Sequence, residues 1–182
     1  YESEAYISHT DSRKTLFDRL YQWVKSYNLK HKIALIKQYK KENIHLLDIG
    51  AGTGDFVLSS KKYAHWEAIG IEPSEKARAK AEEKGLLLQA DFIELLPHSF
   101  DVITMWHVLE HVPDVAQEIQ IISNLLKENG IAVIAVPNYR SWDAQHYKEH
   151  WAAYDVPRHL WHFSKKSIEQ LFSKEAFQLL AT

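Results

Sequence analysis

The chain has 182 residues, 46% of them apolar and 25% charged, with a formal net charge of −2. That balance suits a single domain with a sizeable core and offers no basic field for nucleic acid. Cysteine is absent, which excludes disulfides and cysteine metal sites and fits a cytoplasmic location. No apolar run reaches the roughly 18 residues of a membrane span, and no signal-peptide pattern is present.

The chain opens on Tyr1 rather than Met, so a short preceding piece is expected. Residues 12–41 read as helical. Leu16, Leu20, Trp23, Val24 and Tyr27 recur at three- and four-residue steps, and Asp11 or Ser12 caps the start. A second helix is expected over 29–41, carrying Ile33, Leu35, Ile36 and Tyr39. Strands and helices then alternate: strand 44–49, helix 53–63, strand 66–71, helix 74–84, strand 86–89 and strand 100–105. A helix over 114–127 leads through Gly130 to strand 131–136. A helix over 165–174 precedes a strand starting at 177–181. Such alternation predicts an α/β, Rossmann-like fold, a mostly parallel twisted sheet with helices on both faces. One domain over 1–182 is expected: a helical cap (1–41), a core (42–136), an insertion (137–163) and a last helix and strand (164–182).

The most informative stretch is Leu46-Leu-Asp-Ile-Gly-Ala-Gly-Thr-Gly-Asp-Phe56. An apolar strand ends in Asp48, and Gly50, Gly52 and Gly54 follow at alternate positions. Glycines there let a ligand approach the backbone, and the next helix turns its N-terminal N–H groups to the same crevice. A dinucleotide fingerprint reads G-x-G-x-x-G, whereas Asp55 stands where its third glycine falls. A carboxylate beside a pyrophosphate repels it; a cationic ligand is welcome.

Glu72, at the end of Ile69-Gly-Ile-Glu-Pro-Ser74, lies 18 residues after Gly54. An acid there can accept hydrogen bonds from both ribose hydroxyls. Residues 137–163 interrupt the alternation with aromatic and histidine residues and little core periodicity. An insertion of this length points to function, and its aromatic content argues against disorder.

The D-x-G-x-G-x-G pattern resembles motif I of the class I S-adenosylmethionine-dependent methyltransferases. The resemblance runs from about residue 44 to 136, through Leu88-Gln-Ala-Asp-Phe92, Phe100-Asp-Val-Ile-Thr-Met-Trp-His-Val-Leu-Glu-His-Val-Pro113 and Leu126-Lys-Glu-Asn-Gly130. His107 to Pro113 and Asp155-Val-Pro-Arg-His-Leu-Trp-His-Phe-Ser164 look most like bacterial members near the ubiquinone-type O-methyltransferases. The family sheet has seven strands, so the last strand is expected to be missing here, or replaced by residues near the N-terminus.

The resemblance implies S-adenosylmethionine as cofactor and S-adenosylhomocysteine as product. It implies a cofactor site of Asp48, Gly50, Ala51, Gly52, Glu72, Pro73, Asp91, Phe92, Trp106 and His107. Asp91 accepts from the adenine amino group and Phe92 lies near the ring. Tyr1, Tyr6 and His9 read equally as a flap over the cofactor or as a frayed end. The implied reaction is in-line methyl transfer to a small-molecule acceptor. If the acceptor is a hydroxyl, histidine suits the general base. His107 leads, followed by His111, then His146, His150, His159 and His162.

In the insertion, Trp142, Tyr147, Trp151 and Tyr154 are candidates for an aromatic acceptor pocket. His159 is a further acceptor-site candidate, and Arg158 binds an acidic acceptor group or pairs with Asp155. No metal is assigned from the sequence, although His107, Glu110 and His111 share an i, i+3, i+4 face that suits a divalent cation. The resembled quinone enzymes commonly carry an acid where His107 stands. Other readings are a nicotinamide-dependent oxidoreductase and a non-catalytic S-adenosylmethionine-binding module. A nucleic-acid methyltransferase is disfavoured by the acidic balance and by Trp106-His107 where an Asn/Asp-Pro-Pro-Tyr/Phe signature often stands. Oligomeric state is not readable.

Overall fold

The structure, a computed structural model, describes residues 16–41 and 43–182, with side chains from residue 19 onward. The expectations for Tyr1, Tyr6, His9, Asp11, Ser12 and the Leu16 side chain lie outside the described residues. Contacts divide the chain into two compact units, Tyr1–Phe92 and Ile93–Thr182.

In the first unit, α1 (Leu16–Tyr39) is one continuous helix of 24 residues rather than the two expected. No Gly or Pro interrupts it, so nothing breaks the ladder near residue 29. Its buried face is also not the expected stripe. Ile33 and Ile36 are buried, whereas Leu20, Trp23 and Tyr27 stand 58%, 66% and 52% exposed. At about 100° per residue, Leu20, Trp23 and Tyr27 fall opposite Ile36. The inward side also carries Lys25, which pairs with Asp55 at 2.8 Å, and Lys32, whose ammonium lies 5.7 Å from the Phe56 ring centroid.

Strand β1 (His45–Ile49) pairs in parallel with β2 (Glu67–Ile71), Asp48 opposite Gly70 and Ile49 opposite Ile71. Leu46 and Leu47 are fully buried, each worth about 1.5–3 kcal/mol of apolar burial. Helix α2 (Asp55–Ser59) buries Phe56 and Val57, then widens into an i→i+5 turn over Ser60–Ala64. Gly54, at φ +75, is needed for two reasons: the left-handed backbone and the absence of a Cβ that would strike Leu86 Cδ2. Helix α3 (Glu75–Glu82) is capped by Ser74 Oγ, which accepts from the Ala77 N–H, and turns Ala77 and Ala81 inward. The expected strand over 86–89 contracts to one parallel bridge, Ile71 with Gln89. Leu87 is 80% exposed, so this segment does not keep two apolar faces.

In the second unit, β3 (Phe100–Trp106) pairs in parallel with β4 (Leu126–Ala135). Helix α4 (Val115–Leu125), capped by Asp114, buries Val115, Ile119, Ile122 and Leu125 on one face. It ends earlier than expected, because Leu126 already pairs with Phe100. The next partner pair is Val102 with Ile131. The ladder therefore shifts across Lys127 to Gly130, and Asn129 sits at φ 62 there. The sequence signal for a turn before residue 131 is this irregularity inside a longer strand. Lys127 Nζ reaches Asp101 Oδ2 at 2.8 Å across it.

The insertion forms α5 (Trp142–Tyr147) and two single 3-10 turns, Lys148–His150 and Ala152–Tyr154. Helix α6 (Lys165–Ser173) starts from a reciprocal Ser164–Ser167 capping box. Residues 177–181 are not a strand, in contrast to expectation. Among the described residues of this unit no strand pairs with them, and without a ladder an extended segment is not a sheet strand. No helix of the described residues is long and apolar enough to cross a membrane.

Burial by itself would raise the Asp55 carboxyl, but Lys25, Thr53 and Lys84 together outweigh it and hold it below the ordinary carboxylate range. Because the folded value is depressed, this stability is present above the unfolded pKa of about 4 and is lost as pH falls through the folded value. Asp55→Asn is expected to lower the unfolding free energy by about 1–2 kcal/mol at neutral pH. In urea titrations the gap to wild type should close on acidification below about pH 4. Gly54→Ala should cost about 2–3 kcal/mol through its clash with Leu86. Gly52→Ala, whose Cβ meets nothing within 4 Å, should cost about 1 kcal/mol of left-handed strain in the same assay.

Candidate functional site

At the carboxyl end of β1 the chain makes its glycine turn. Gly50, Gly52 and Gly54 all take positive φ, at 70°, 55° and 75°. Ala51 N–H donates to the Ile71 carbonyl at 2.9 Å, and Gly54 N–H returns to the Ala51 carbonyl at 2.9 Å. The turn is thereby fastened to the end of β2. Asp48 is buried at 3% exposure on β1. It acts electrostatically on Lys32: burial lowers that ammonium's pKa and the Asp48 charge opposes the shift.

Glu72 closes this arrangement. Its Oε2 accepts from the Gly52 N–H at 2.8 Å, and its Oε1 accepts from the Ser74 N–H at 2.9 Å. Arg78 Nη1 donates to the carbonyls of Glu72 and Pro73, both at 2.7 Å. Glu72 N–H in turn donates to the Gln89 carbonyl at 2.9 Å. Each carboxylate oxygen spends one lone pair here and keeps another, so the acid can still accept from two ribose hydroxyls. The space over Gly52 is open for a ligand to approach. These two features fit the cofactor that the sequence resemblance implies. Asp91 is exposed and Phe92 half-buried in the loop that follows Gln89. Thus Asp48, Gly50, Ala51, Gly52, Glu72, Pro73, Asp91 and Phe92 all fall in the first unit.

Trp106 and His107 fall in the second. Trp106 ends β3, and His107 leaves the strand at φ 59, a left-handed conformation that costs a non-glycine residue energy and clusters at functional sites. Its N–H still donates to the Ala135 carbonyl at 2.9 Å, while its side chain is 66% exposed. His107 Nδ1 lies 3.6 Å from Glu110 Oε1. Glu110, in the 3-10 turn Leu109–His111, is buried at 1% exposure.

Residues 158–161 are laced to this turn. Leu160 N–H donates to the Glu110 carbonyl at 2.8 Å. Trp161 Nε1 donates to the Val112 carbonyl at 2.8 Å. The His111 Nδ1 meets the Arg158 carbonyl at 3.0 Å. The His111 and His159 rings meet edge to face, centroids 4.7 Å apart. The meeting of His159 with Glu110 and His111 was invisible to sequence spacing, because 48 residues separate the two histidines.

The guanidinium of Arg158 is held by Asp155 Oδ1, at 3.0 Å from Nε and 2.7 Å from Nη2. Of its two expected roles, this is the pairing with Asp155. The insertion aromatics form separate groups: Trp142 stacks on His146, which also meets Tyr147 edge to face, and Trp151 meets Tyr154. An open cleft of about 650 Å³ is lined by Tyr139, Ala144, Gln145, Lys148, Glu149, Tyr154 and Val156. Of the four expected pocket aromatics, Tyr154 lines this cleft. Tyr139 and Gln145 are lining residues that the sequence did not single out.

The sequence profile of the family described as methyltransferase domain matches residues 18–182. The ubiquinone biosynthesis O-methyltransferase of Histophilus somni (strain 2336) is 36% identical over 115 residues, covering 53% of this chain and 47% of that protein. The chain spans about half the length of the curated relatives it matches. A SAM-dependent methyltransferase from Archaeoglobus fulgidus superposes with a TM-score of 0.67 at 23% identity, covering 92% of this chain and 75% of its own. The phosphoethanolamine N-methyltransferase 2 of Haemonchus contortus, solved in complex with S-adenosyl-L-methionine, gives a TM-score of 0.62 at 20% identity, covering 81% and 36%. At such identities both structures speak for the fold, which is the Rossmann-like α/β fold of methyltransferases. With the family profile spanning nearly the whole chain and the glycine turn and Glu72 in place beneath it, the chain belongs to the methyltransferase-domain family, of the class I S-adenosylmethionine-dependent kind.

Proposed function

We propose that this chain transfers the methyl group of S-adenosylmethionine to a hydroxyl oxygen of a small-molecule acceptor, leaving S-adenosylhomocysteine. The observation that carries the reading is the Glu72 carboxylate, tied to the Gly52 and Ser74 N–H groups beside open space at Gly52. When bound, the cofactor supplies a methyl carbon already activated by its sulfonium leaving group. Asp48 with Gly50, Ala51 and Gly52 would hold the cationic end, Glu72 and Pro73 the ribose, and Asp91 and Phe92 the adenine.

The protein's part is then alignment and proton removal. His107 is the general base in this reading. A carboxylate behind one ring nitrogen orients the imidazole and leaves Nε2 for the acceptor, and Glu110 Oε1 stands 3.6 Å from Nδ1. The choice of oxygen is supported by the name of the Histophilus relative and by this exposed histidine. The insertion cleft, with Tyr139, Tyr154, Gln145, Lys148 and Glu149, offers aromatic faces and polar groups to the acceptor. With Arg158 already paired, that cleft supplies the acceptor contacts.

Calorimetric titration with S-adenosylhomocysteine should give micromolar affinity in wild type. Glu72→Ala should weaken it at least about tenfold. An NADH titration that binds while S-adenosylhomocysteine does not would sink the reading in favour of an oxidoreductase. With an aromatic hydroxyl acceptor, His107→Gln should lower kcat about 10²–10⁴-fold.

A further inference from the structure

Glu72 has a partner on its N–H, its carbonyl and both carboxylate oxygens. The N–H donates to the Gln89 carbonyl, and the two carboxylate oxygens accept from the Gly52 and Ser74 N–H groups. Those partners are backbone groups. The carbonyl instead accepts from a side chain, Arg78 Nη1, at 2.7 Å, and the same nitrogen reaches the Pro73 carbonyl at 2.7 Å.

The needs of helix α3 do not explain where this guanidinium sits. Arg78 lies in the helix that starts at Glu75, yet its side chain folds back past the Ser74 cap to residues 72 and 73. A helix N-terminus leaves N–H groups unpaired rather than carbonyls, so a donor placed there caps nothing. The helix dipole also disfavours a cation at that end. What the guanidinium does satisfy is a pair of carbonyls between the end of the β2 ladder at Ile71 and the start of α3. Arg78 thereby fixes two successive peptide units, Glu72–Pro73 and Pro73–Ser74. A carboxylate that reads two hydroxyls must present both oxygens at set positions, and its direction follows the backbone that carries it.

We infer that Arg78 is a positioning residue for cofactor selection, a role that rests on the reading of Glu72 as the ribose acceptor. Arg78 holds the backbone of Glu72 and Pro73 so that the Glu72 carboxylate discriminates ligands by their ribose hydroxyls. Nη1 carries two N–H donors, and both go to carbonyls. Arg78 therefore acts through Glu72.

Calorimetric titration with S-adenosylhomocysteine and with its 2′-deoxy analogue tests this role. Wild type should prefer S-adenosylhomocysteine by at least about tenfold, the effect of one hydrogen bond to a charged group. Arg78→Met keeps an apolar stem and nearly the same helix propensity. It should cut the preference to about threefold or less. General loosening of the fold weakens both ligands alike and leaves their ratio unchanged, so the ratio separates positioning from stability. Glu72→Ala should abolish the preference. If it does so while folded Arg78→Met keeps the wild-type ratio, the role of Arg78 is overturned and Glu72 stands as the ribose acceptor. No preference in wild type, or one that survives Glu72→Ala, overturns the reading of Glu72 and the role of Arg78 with it. Circular dichroism checks the fold of each variant; if Arg78→Met does not fold, the shorter, polar Arg78→Gln decides.

Discussion

One carboxylate holds the first unit's ligand-facing end together. Glu72 takes the Gly52 N–H on one oxygen and the Ser74 N–H on the other. The turn after β1 and the entry to α3 are therefore fixed to the same side chain. A glycine turn with three left-handed residues has little intrinsic preference for one shape. The charge-assisted hydrogen bond from the Gly52 N–H to Glu72 and the Ala51 N–H bond to the Ile71 carbonyl select that shape before any ligand arrives. Pre-organisation of this kind lowers the ordering cost of binding.

The second unit solves a different problem, that of carrying polar groups on a buried turn. Glu110 sits with its carboxylate out of solvent, and its backbone carbonyl accepts from Leu160. Trp161 and His111 add side-chain bonds to the backbone carbonyls of Val112 and Arg158, on the two sides of the same lacing. The insertion is thus a structural wall for the turn that follows β3, as well as a surface with its own cleft. Its aromatic residues divide their work accordingly. Trp161 anchors, Tyr154 lines the cleft, and Trp142 remains 70% exposed against His146.

Partly buried acids in the two units differ in whether a partner offsets their burial. Asp55 draws on Lys25, Lys84 and Thr53 to stay ionised despite its burial. Asp101 and Lys127 bridge the irregular stretch of β4. Glu118, with burial as its cause, is instead pushed above the ordinary carboxylate range. The contrast between Asp55 and Glu118 shows local partners, rather than burial alone, setting the sign of the shift.

The sequence by itself determined β1, β2, β3, the helices α2, α3, α4 and α6, and the glycine turn of the methyltransferase family. Those signals are local: apolar runs, and glycines at fixed spacing beside an acid; the caps Ser74, Asp114 and Ser164 emerge in the structure. The segments 86–89 and 177–181 and the buried face of α1 depart from the sequence expectation for one reason. A strand exists only if a neighbour supplies the ladder, and a helix buries whichever face meets its partner. Leu20, Trp23 and Tyr27 have the periodicity of a core stripe, yet Ile33, Ile36 and the Lys25–Asp55 pair define the inward side. The tertiary structure alone decided that Glu110, His111 and His159 stand together, because only folding of the insertion brings residue 159 to the turn at residue 110.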